Sequence, residues 1–143
     1  MTNVAYVLKD KSNSSIFTVK PTDTVLSAIQ LMSEKMIGAV VVTDADRLVG
    51  ILSERDYMRK VILMERTSKE TLVRDIMTAE VITASTTDSV KTCLNLMTEK
   101  HLRHLPVVEN ETLIGLISIG DLVKAIIDDQ EKLIHQLQQY ISG

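Results

Sequence analysis

With 143 residues, a net charge of −3, 45% hydrophobic and 24% charged residues, the chain can bury a compact core but offers no broad positive surface for a nucleic-acid backbone. Aromatic residues make up only 3% and Trp is absent, so the core must be built from Val, Ile, Leu, Met and Ala. A lone Cys93 excludes an internal disulfide; with no leader-like start and no apolar run of membrane-spanning length, the expectation is a cytoplasmic protein.

The predicted elements come in two rounds. Thr18 sits in a short β-branched stretch that reads as a first strand. Asp23 then stands in an N-cap position ahead of Val25, Ile29, Met32 and Met36, whose spacing is helical. Two apolar runs, Ala39-Val40-Val41-Val42 and Leu48-Val49-Gly50-Ile51-Leu52, flank the turn-like Asp44-Ala45-Asp46-Arg47 and predict a hairpin. A helix begins just after Ser53. The following segment carries Thr67-Ser68-Lys69-Glu70, a capping-box pattern that predicts a short helix through Ile76. The order then returns: a strand at Thr83, Asp88 as cap before Val90, Leu94 and Met97, a hairpin around Glu109-Asn110-Glu111-Thr112, and a helix after Ser118.

This is a duplication. Residues 16–62 align without a gap with residues 81–127 at an offset of 65. Identical pairs include Asp23/Asp88, Met32/Met97, Glu34/Glu99, Val42/Val107, Gly50/Gly115, Ser53/Ser118 and Asp56/Asp121. The offset extends upstream, where Leu8-Lys9-Asp10 faces Val73-Arg74-Asp75. Each β-α-β-β-α unit has a one-sided sheet that needs cover, which a second copy related by pseudo-twofold symmetry supplies. The expected fold class is therefore α/β (α+β), two such units packed as one module. Its expected boundaries are residues 8–64 for unit 1, 65–75 for a linker, 76–128 for unit 2 and 129–143 for a helical extension. In that tail Leu122, Ile126, Leu133, Leu137 and Ile141 form an apolar stripe, and a helix from Ile119 to Ile141 would be on the order of 30 Å long. Asp128-Asp129 marks a candidate bend, and the stripe calls for cover by the same chain or by a second one.

Asp75-Ile76-Met77-Thr78, the Gly50 to Asp56 and Gly115 to Asp121 segments and Arg103-His104-Leu105-Pro106-Val107, all duplicated in register or placed between the copies, resemble the cystathionine-β-synthase (CBS) domain pair, or Bateman module. The likeness covers roughly residues 8 to 128 and is greatest to small bacterial proteins consisting of a CBS pair with little else. It implies a regulatory module without catalysis that senses an adenine nucleotide (AMP, ADP, ATP or NAD) in a cleft between the repeats. It also implies a homodimer and a regulated protein that the sequence does not name; neither nucleic acid, membrane nor metal is expected. The alternative is a ligand-independent structural dimer or protein-interaction module.

The two Ser-x-x-Asp segments, Ser53/Asp56 and Ser118/Asp121, admit both readings. As plain structure each is a capping box. As a site, a helix start offers free N–H groups and a positive dipole end to a phosphate, the Ser adds a donor, and the Asp can accept from both ribose hydroxyls, the roles these residues have in the CBS family. The family also places basic residues at Arg103-His104, where the first repeat has Gly38-Ala39, while Arg55 faces Gly120; the second site is therefore expected to bind more tightly. Adenine is expected against Phe17, Thr18 and Ile37 in one copy and Ile82, Thr83, Leu102 and Pro106 in the other, positions that are core by default. His101, aligned with Met36, is read as a partly buried structural His, and Cys93, aligned with Ala28, as a helix residue. Neither these nor His135 makes a zinc spacing or a catalytic triad.

Overall fold

The computed structural model describes residues 2–11 and 16–142. In chain order it contains α1 (Val4–Asp10), β1 (Thr18–Val19), α2 (Val25–Lys35), β2 (Ala39–Asp44), β3 (Arg47–Ser53), α3 (Glu54–Tyr57), a π-helical turn (Met58–Ile62), α4 (Val73–Ile76), α5 (Val90–Lys100), β4 (His104–Glu109), β5 (Thr112–Ser118) and α6 (Ile119–Ser142). The duplication survives element by element: α2/α5, β2/β4 and β3/β5 keep the offset of 65 at both ends. The expected mixed α/β class, with two small sheets and a long closing helix, is what the chain adopts.

The capping differs from expectation by one residue. Thr24 and Ser89 are the N-caps, accepting from the amides of Ser27 and Thr92. Asp23 and Asp88 instead close the preceding turn, each accepting from the amide three residues earlier, Lys20 and Ser85, at 2.8 Å. With each Asp carboxylate taken by the preceding turn, the cap falls to the hydroxyl residue that follows. Both helices end on a left-handed residue, Met36 (φ 56°) and His101 (φ 57°). His101 is exposed there rather than partly buried, since the chain turns away from the core at that point.

β2 pairs antiparallel with β3 and in parallel with β1, while β4 pairs with β5. The hairpin turns are Ala45-Asp46 and Asn110-Glu111, all four residues at positive φ between 50° and 64°. Positive φ at both central positions is the signature of a type I′ turn, whose twist matches the strands, and here it forms without glycine. The second copy of the first strand shrinks to a single parallel bridge, Ala84↔Val107, so Thr83 is outside any strand. The cause is Pro106. A parallel pairing centred on Thr18 and Val41 draws on the amide N–H of residue 41, and the counterpart of Val41 is a proline without one.

The chain divides into two compact units that are not contiguous in sequence. One contains Ile16–Ile82 with Glu111–Leu113; the other contains the arm ending at Lys11, Thr83–Asn110 and the chain from Ile114 onward. In the first, Val19, Val25, Ala28, Met32, Val40, Val42, Leu52, Val61, Val73 and Ile76 form one buried cluster. In the second, Ala84, Val90, Cys93, Met97, Leu105, Val107 and Ile117 occupy the corresponding buried positions. The aliphatic core that the composition demanded is thus built twice.

Each unit is completed by the segment that precedes the other repeat. Leu72 bridges Thr24 and the Val73 amide donates to Asp23 O (2.9 Å); in the other unit Asn3 bridges Ser89 and the Val4 amide donates to Asp88 O (2.9 Å). These pairs equate Val4 with Val73 and Val7 with Ile76, all four buried. The arms therefore correspond at an offset of 69, not at the 65 that the acidic match Asp10/Asp75 suggested. Four residues is about one helical turn, so the apolar stripe could be read in either register until its backbone partners were seen. The helix expected from Thr67 likewise starts later, at Val73, where Asp75 accepts from the Leu72 amide (3.3 Å). α6 runs 24 residues without a break, and Asp128-Asp129 does not bend it. No helix among the described residues is long and apolar enough to cross a membrane.

Candidate functional site

Both Ser-x-x-Asp segments fold as reciprocal caps. At α3, the Ser53 amide donates to Asp56 Oδ2 (2.9 Å) and the Asp56 amide donates to Ser53 Oγ (3.2 Å). At α6, the Ser118 amide donates to Asp121 Oδ2 (2.8 Å) and the Asp121 amide donates to Ser118 Oγ (3.1 Å). The first amide of each helix is committed as well, Glu54 to Gly38 O and Ile119 to Arg103 O, both at 3.0 Å. The amides of Arg55 and Gly120 then stand between two satisfied neighbours, with no acceptor among the described residues.

The two helix starts differ in what they leave uncommitted. Ser53 Oγ also donates to Asp56 Oδ2 (3.1 Å), and Lys60 Nζ, one turn along the same helix, lies 3.3 Å from Asp56 Oδ1. Both carboxylate oxygens and the hydroxyl proton are in use. At the second start Lys11 Nζ meets Asp121 Oδ2 at 3.0 Å and donates to Leu116 O at 2.7 Å. Asp121 Oδ1 has no partner among the described residues, and the Ser118 hydroxyl also supports the carboxylate. Burial opposes ionisation of Asp121, but the Ser118 amide and then the Lys11 ammonium outweigh it and hold the carboxyl below its ordinary 3.8.

Around the first start, Ala39 pairs with Ser53 across the hairpin and Thr18 pairs with Val41, so Thr18, Gly38, Ala39, Ser53, Arg55 and Asp56 share one end of the three-stranded sheet. Phe17 and Ile37 pack half-buried against the core, with Lys35 Nζ 5.2 Å above the Phe17 ring. Around the second start the Arg103 carbonyl is fixed to α6, His104 opens β4, Leu102 is half-buried and Pro106 is buried, its carbonyl accepting from the Ala84 amide. Ile82 and Thr83, read as one adenine wall, fall on opposite sides of the division between the units. The lysines at the two carboxylates were missed by the sequence reading. Lys60 was findable as an i, i+4 partner of Asp56; Lys11 was not, because nothing local links it to Asp121. Among the described residues no group of three or more His, Cys, Asp or Glu is placed to hold a metal ion.

Two homologous helix starts of this kind, on a duplicated β-α-β-β-α unit, coincide with a known family: the CBS domain matches residues 8–63 and, a second time, residues 73–128. The chain belongs to the CBS-domain family. The pair is 38% identical over 150 residues to the mitochondrial CBS domain-containing protein CBSX3 of Arabidopsis thaliana, covering 99% of this chain and 73% of that protein. The solved structure of a protein with CBS domains from Burkholderia ambifaria is 54% identical, with a TM-score of 0.87 over 90% of this chain and 96% of that one. The CBS pair of protein MJ0100, solved with 5′-methylthioadenosine and S-adenosyl-L-methionine, has the same fold at 21% identity, with a TM-score of 0.79 over 90% of this chain and 98% of that one.

Proposed function

We propose that this CBS pair is a regulatory module that binds an adenine nucleotide, AMP, ADP, ATP or NAD, and does no chemistry on it. The observation that carries the reading is the second helix start: within one turn lie a carboxylate held ionised, with one oxygen unpartnered among the described residues, a serine hydroxyl beside it and an open glycine amide. Those groups match a ribose hydroxyl and a phosphate oxygen. In this reading Asp121 takes the ribose, Ser118, the Gly120 amide, Arg103 and His104 take phosphate, and Ile82, Thr83, Leu102 and Pro106 take the base. Ser53, Asp56, Arg55, Gly38, Ala39, Phe17, Thr18 and Ile37 supply the first repeat's contribution. Its fully committed Ser53 and Asp56 make it the weaker of the two. That the same fold in MJ0100 carries two adenosyl compounds agrees with the class of ligand.

Calorimetric titration with the four nucleotides tests this. Binding of at least one is expected, weakened more by Asp121→Ala than by Asp56→Ala; no heat and no thermal shift with any of them at millimolar concentration would reject it. Intact nucleotide should be recovered after long incubation.

A second reading, self-association, rests on α6. Leu133, Ile134, Leu137 and Ile141 are each more than half exposed along one helix. We infer that a second copy covers them, as a homodimer. Removing residues 131–143 should convert the dimer to monomer in sedimentation equilibrium, whereas an unchanged mass would refute the role of the tail.

A further inference from the structure

Asp121 and Lys11 meet because the N-terminal arm is held on the second unit along its length. The Thr2 hydroxyl donates to the Asp129 carboxylate (2.6 Å), and Val4 and Val7 are buried. Leu8 lies over Gly115 so closely that a Cβ built there would fall 2.6 Å from its Cδ2. The arm thereby delivers the Lys11 ammonium to the helix start, with Lys11 and Asp121 side chains only 28% and 23% exposed.

An ammonium has three donors, and Lys11 spends two, on Leu116 O and Asp121 Oδ2. Among the described residues the pair therefore leaves one N–H donor beside one unpartnered carboxylate oxygen. An uncharged adenosyl compound can use the oxygen through its ribose hydroxyls but has nothing for the cation. A phosphorylated one can use both. The first repeat also has a lysine at its carboxylate, reached by a different route and without a free oxygen: Lys60 spends two donors, on Ile76 O (3.0 Å) and on Asp56 Oδ1 (3.3 Å). The residue aligned with Lys60 is Ala125, so the two lysines are not copies of one ancestral position. Each repeat has placed a cation at its carboxylate independently.

Resting on the nucleotide-binding reading above, we propose that Lys11 is a specificity-determining residue of the second half-site, selecting phosphorylated over uncharged adenosyl ligands. The arm is thus part of the site although it precedes the first repeat.

The test compares AMP with adenosine by calorimetry on the full chain carrying Lys11→Gln, Lys11→Arg or Lys60→Gln. Loss of one charge-assisted contact to phosphate should lower AMP affinity of Lys11→Gln by about 10-fold while adenosine affinity stays within about 2-fold, with most of the loss restored by Lys11→Arg. Lys60→Gln should change the AMP-to-adenosine ratio less. A merely structural lysine would lower both affinities together and shift the thermal midpoint; that pattern, or an unchanged ratio, overturns the proposal. Wild-type protein that binds neither compound would overturn the nucleotide reading itself, an outcome distinct from binding without selectivity.

Discussion

The two equivalent glycines of β3 and β5 should respond unequally to the same substitution. In Gly50→Ala the new Cβ would lie 2.5 Å from Met77 Sδ, 3.0 Å from Met77 Cγ and 3.1 Å from the Thr78 carbonyl oxygen. The thioether can swing aside, but the carbonyl cannot. It accepts from the Ile51 amide at 3.0 Å, and the Thr78 amide returns a bond to Ile51 O at 2.9 Å. Relief means opening that pair, worth about 1 kcal/mol per bond, or tolerating an overpacked contact of about 1–3 kcal/mol. The expected loss is about 2 kcal/mol, or about 4–8 °C in the midpoint for a chain of this size. In Gly115→Ala the three atoms nearest the Cβ all belong to Leu8, Cδ2 (2.6 Å), Cδ1 (3.1 Å) and Cγ (3.5 Å), a side chain that can change rotamer. Replacing a strand glycine also recovers about 0.5–1 kcal/mol of backbone entropy, so the net change should stay within about 1 kcal/mol. Urea and thermal unfolding followed by circular dichroism would measure both. An equal loss in the two variants, or a larger one for Gly115→Ala, would refute the assignment of Thr78 as the rigid neighbour.

Asp121 has a depressed folded-state pKa, so its stabilising contribution is complete above its ordinary value of 3.8 and is lost as pH falls through the lower folded value. The stability gap between wild type and Asp121→Asn, about 1 kcal/mol from the lost cap and ion pair, should be constant from pH 7 to 5 and close below pH 3.8; a gap that widens on acidification contradicts this. Ala45 at φ 50° and Asp46 at φ 64° hold a turn that favours Asn-Gly, so the double substitution Ala45→Asn, Asp46→Gly should raise the urea midpoint by about 0.5–1 kcal/mol of stability, and a fall would argue against the turn type. Burial first, and the charge of Asp88 second, push the Cys93 thiol above 9.0. A thiol reagent at pH 8 should therefore label the native protein at least about 100-fold more slowly than the protein in urea, and comparable rates would place Cys93 outside the core.

How far the fold could be read depended on whether the determining contacts were local. The spacing of Val25, Met32, Val90 and Met97, and the apolar runs either side of Asp44-Ala45-Asp46-Arg47, fixed helices and hairpins because periodicity is itself a local signal. The Ser-x-x-Asp caps were legible for the same reason, and so was the long α6. What escaped depended on a competing partner. Asp23 and Thr24 both can cap, and only the Lys20 amide decides which does. Pro106 was visible, yet its effect appears only beside a strand that expected an amide from it. The register of the arm was ambiguous by one turn, since Val4, Val7 and Leu8 and the later Leu8-Lys9-Asp10 are both plausible matches to the α4 sequence. Lys11 escaped for the plainest reason: its partners Leu116 and Asp121 lie at the other end of the chain.

Duplication alone would give two equal half-sites, and the differences here lie in what is attached to each copy. At the first helix start every commitment of Asp56 comes from within one turn of its own helix, from Ser53 and Lys60. Such a carboxylate is neutralised as soon as α3 and its π-helical extension form, whatever the rest of the chain does. At the second, Asp121 is neutralised by a residue brought in on an arm, and the arm stays because Val4, Val7 and Leu8 are buried or packed on the same unit and Thr2 and Val4 are hydrogen-bonded to it. A ligand that draws on Asp121 or Lys11 therefore changes the free energy of docking that arm, and by reciprocity the arm changes the affinity for the ligand. A ligand at Asp56 reaches the equivalent segment, α4, only indirectly, through the Lys60 bond to Ile76 O, and has no lever on the N-terminal arm. If the module reports occupancy through its N-terminal arm, the second repeat is the one that can do so, and the asymmetry first seen in Arg103-His104 against Gly38-Ala39 is only part of the reason.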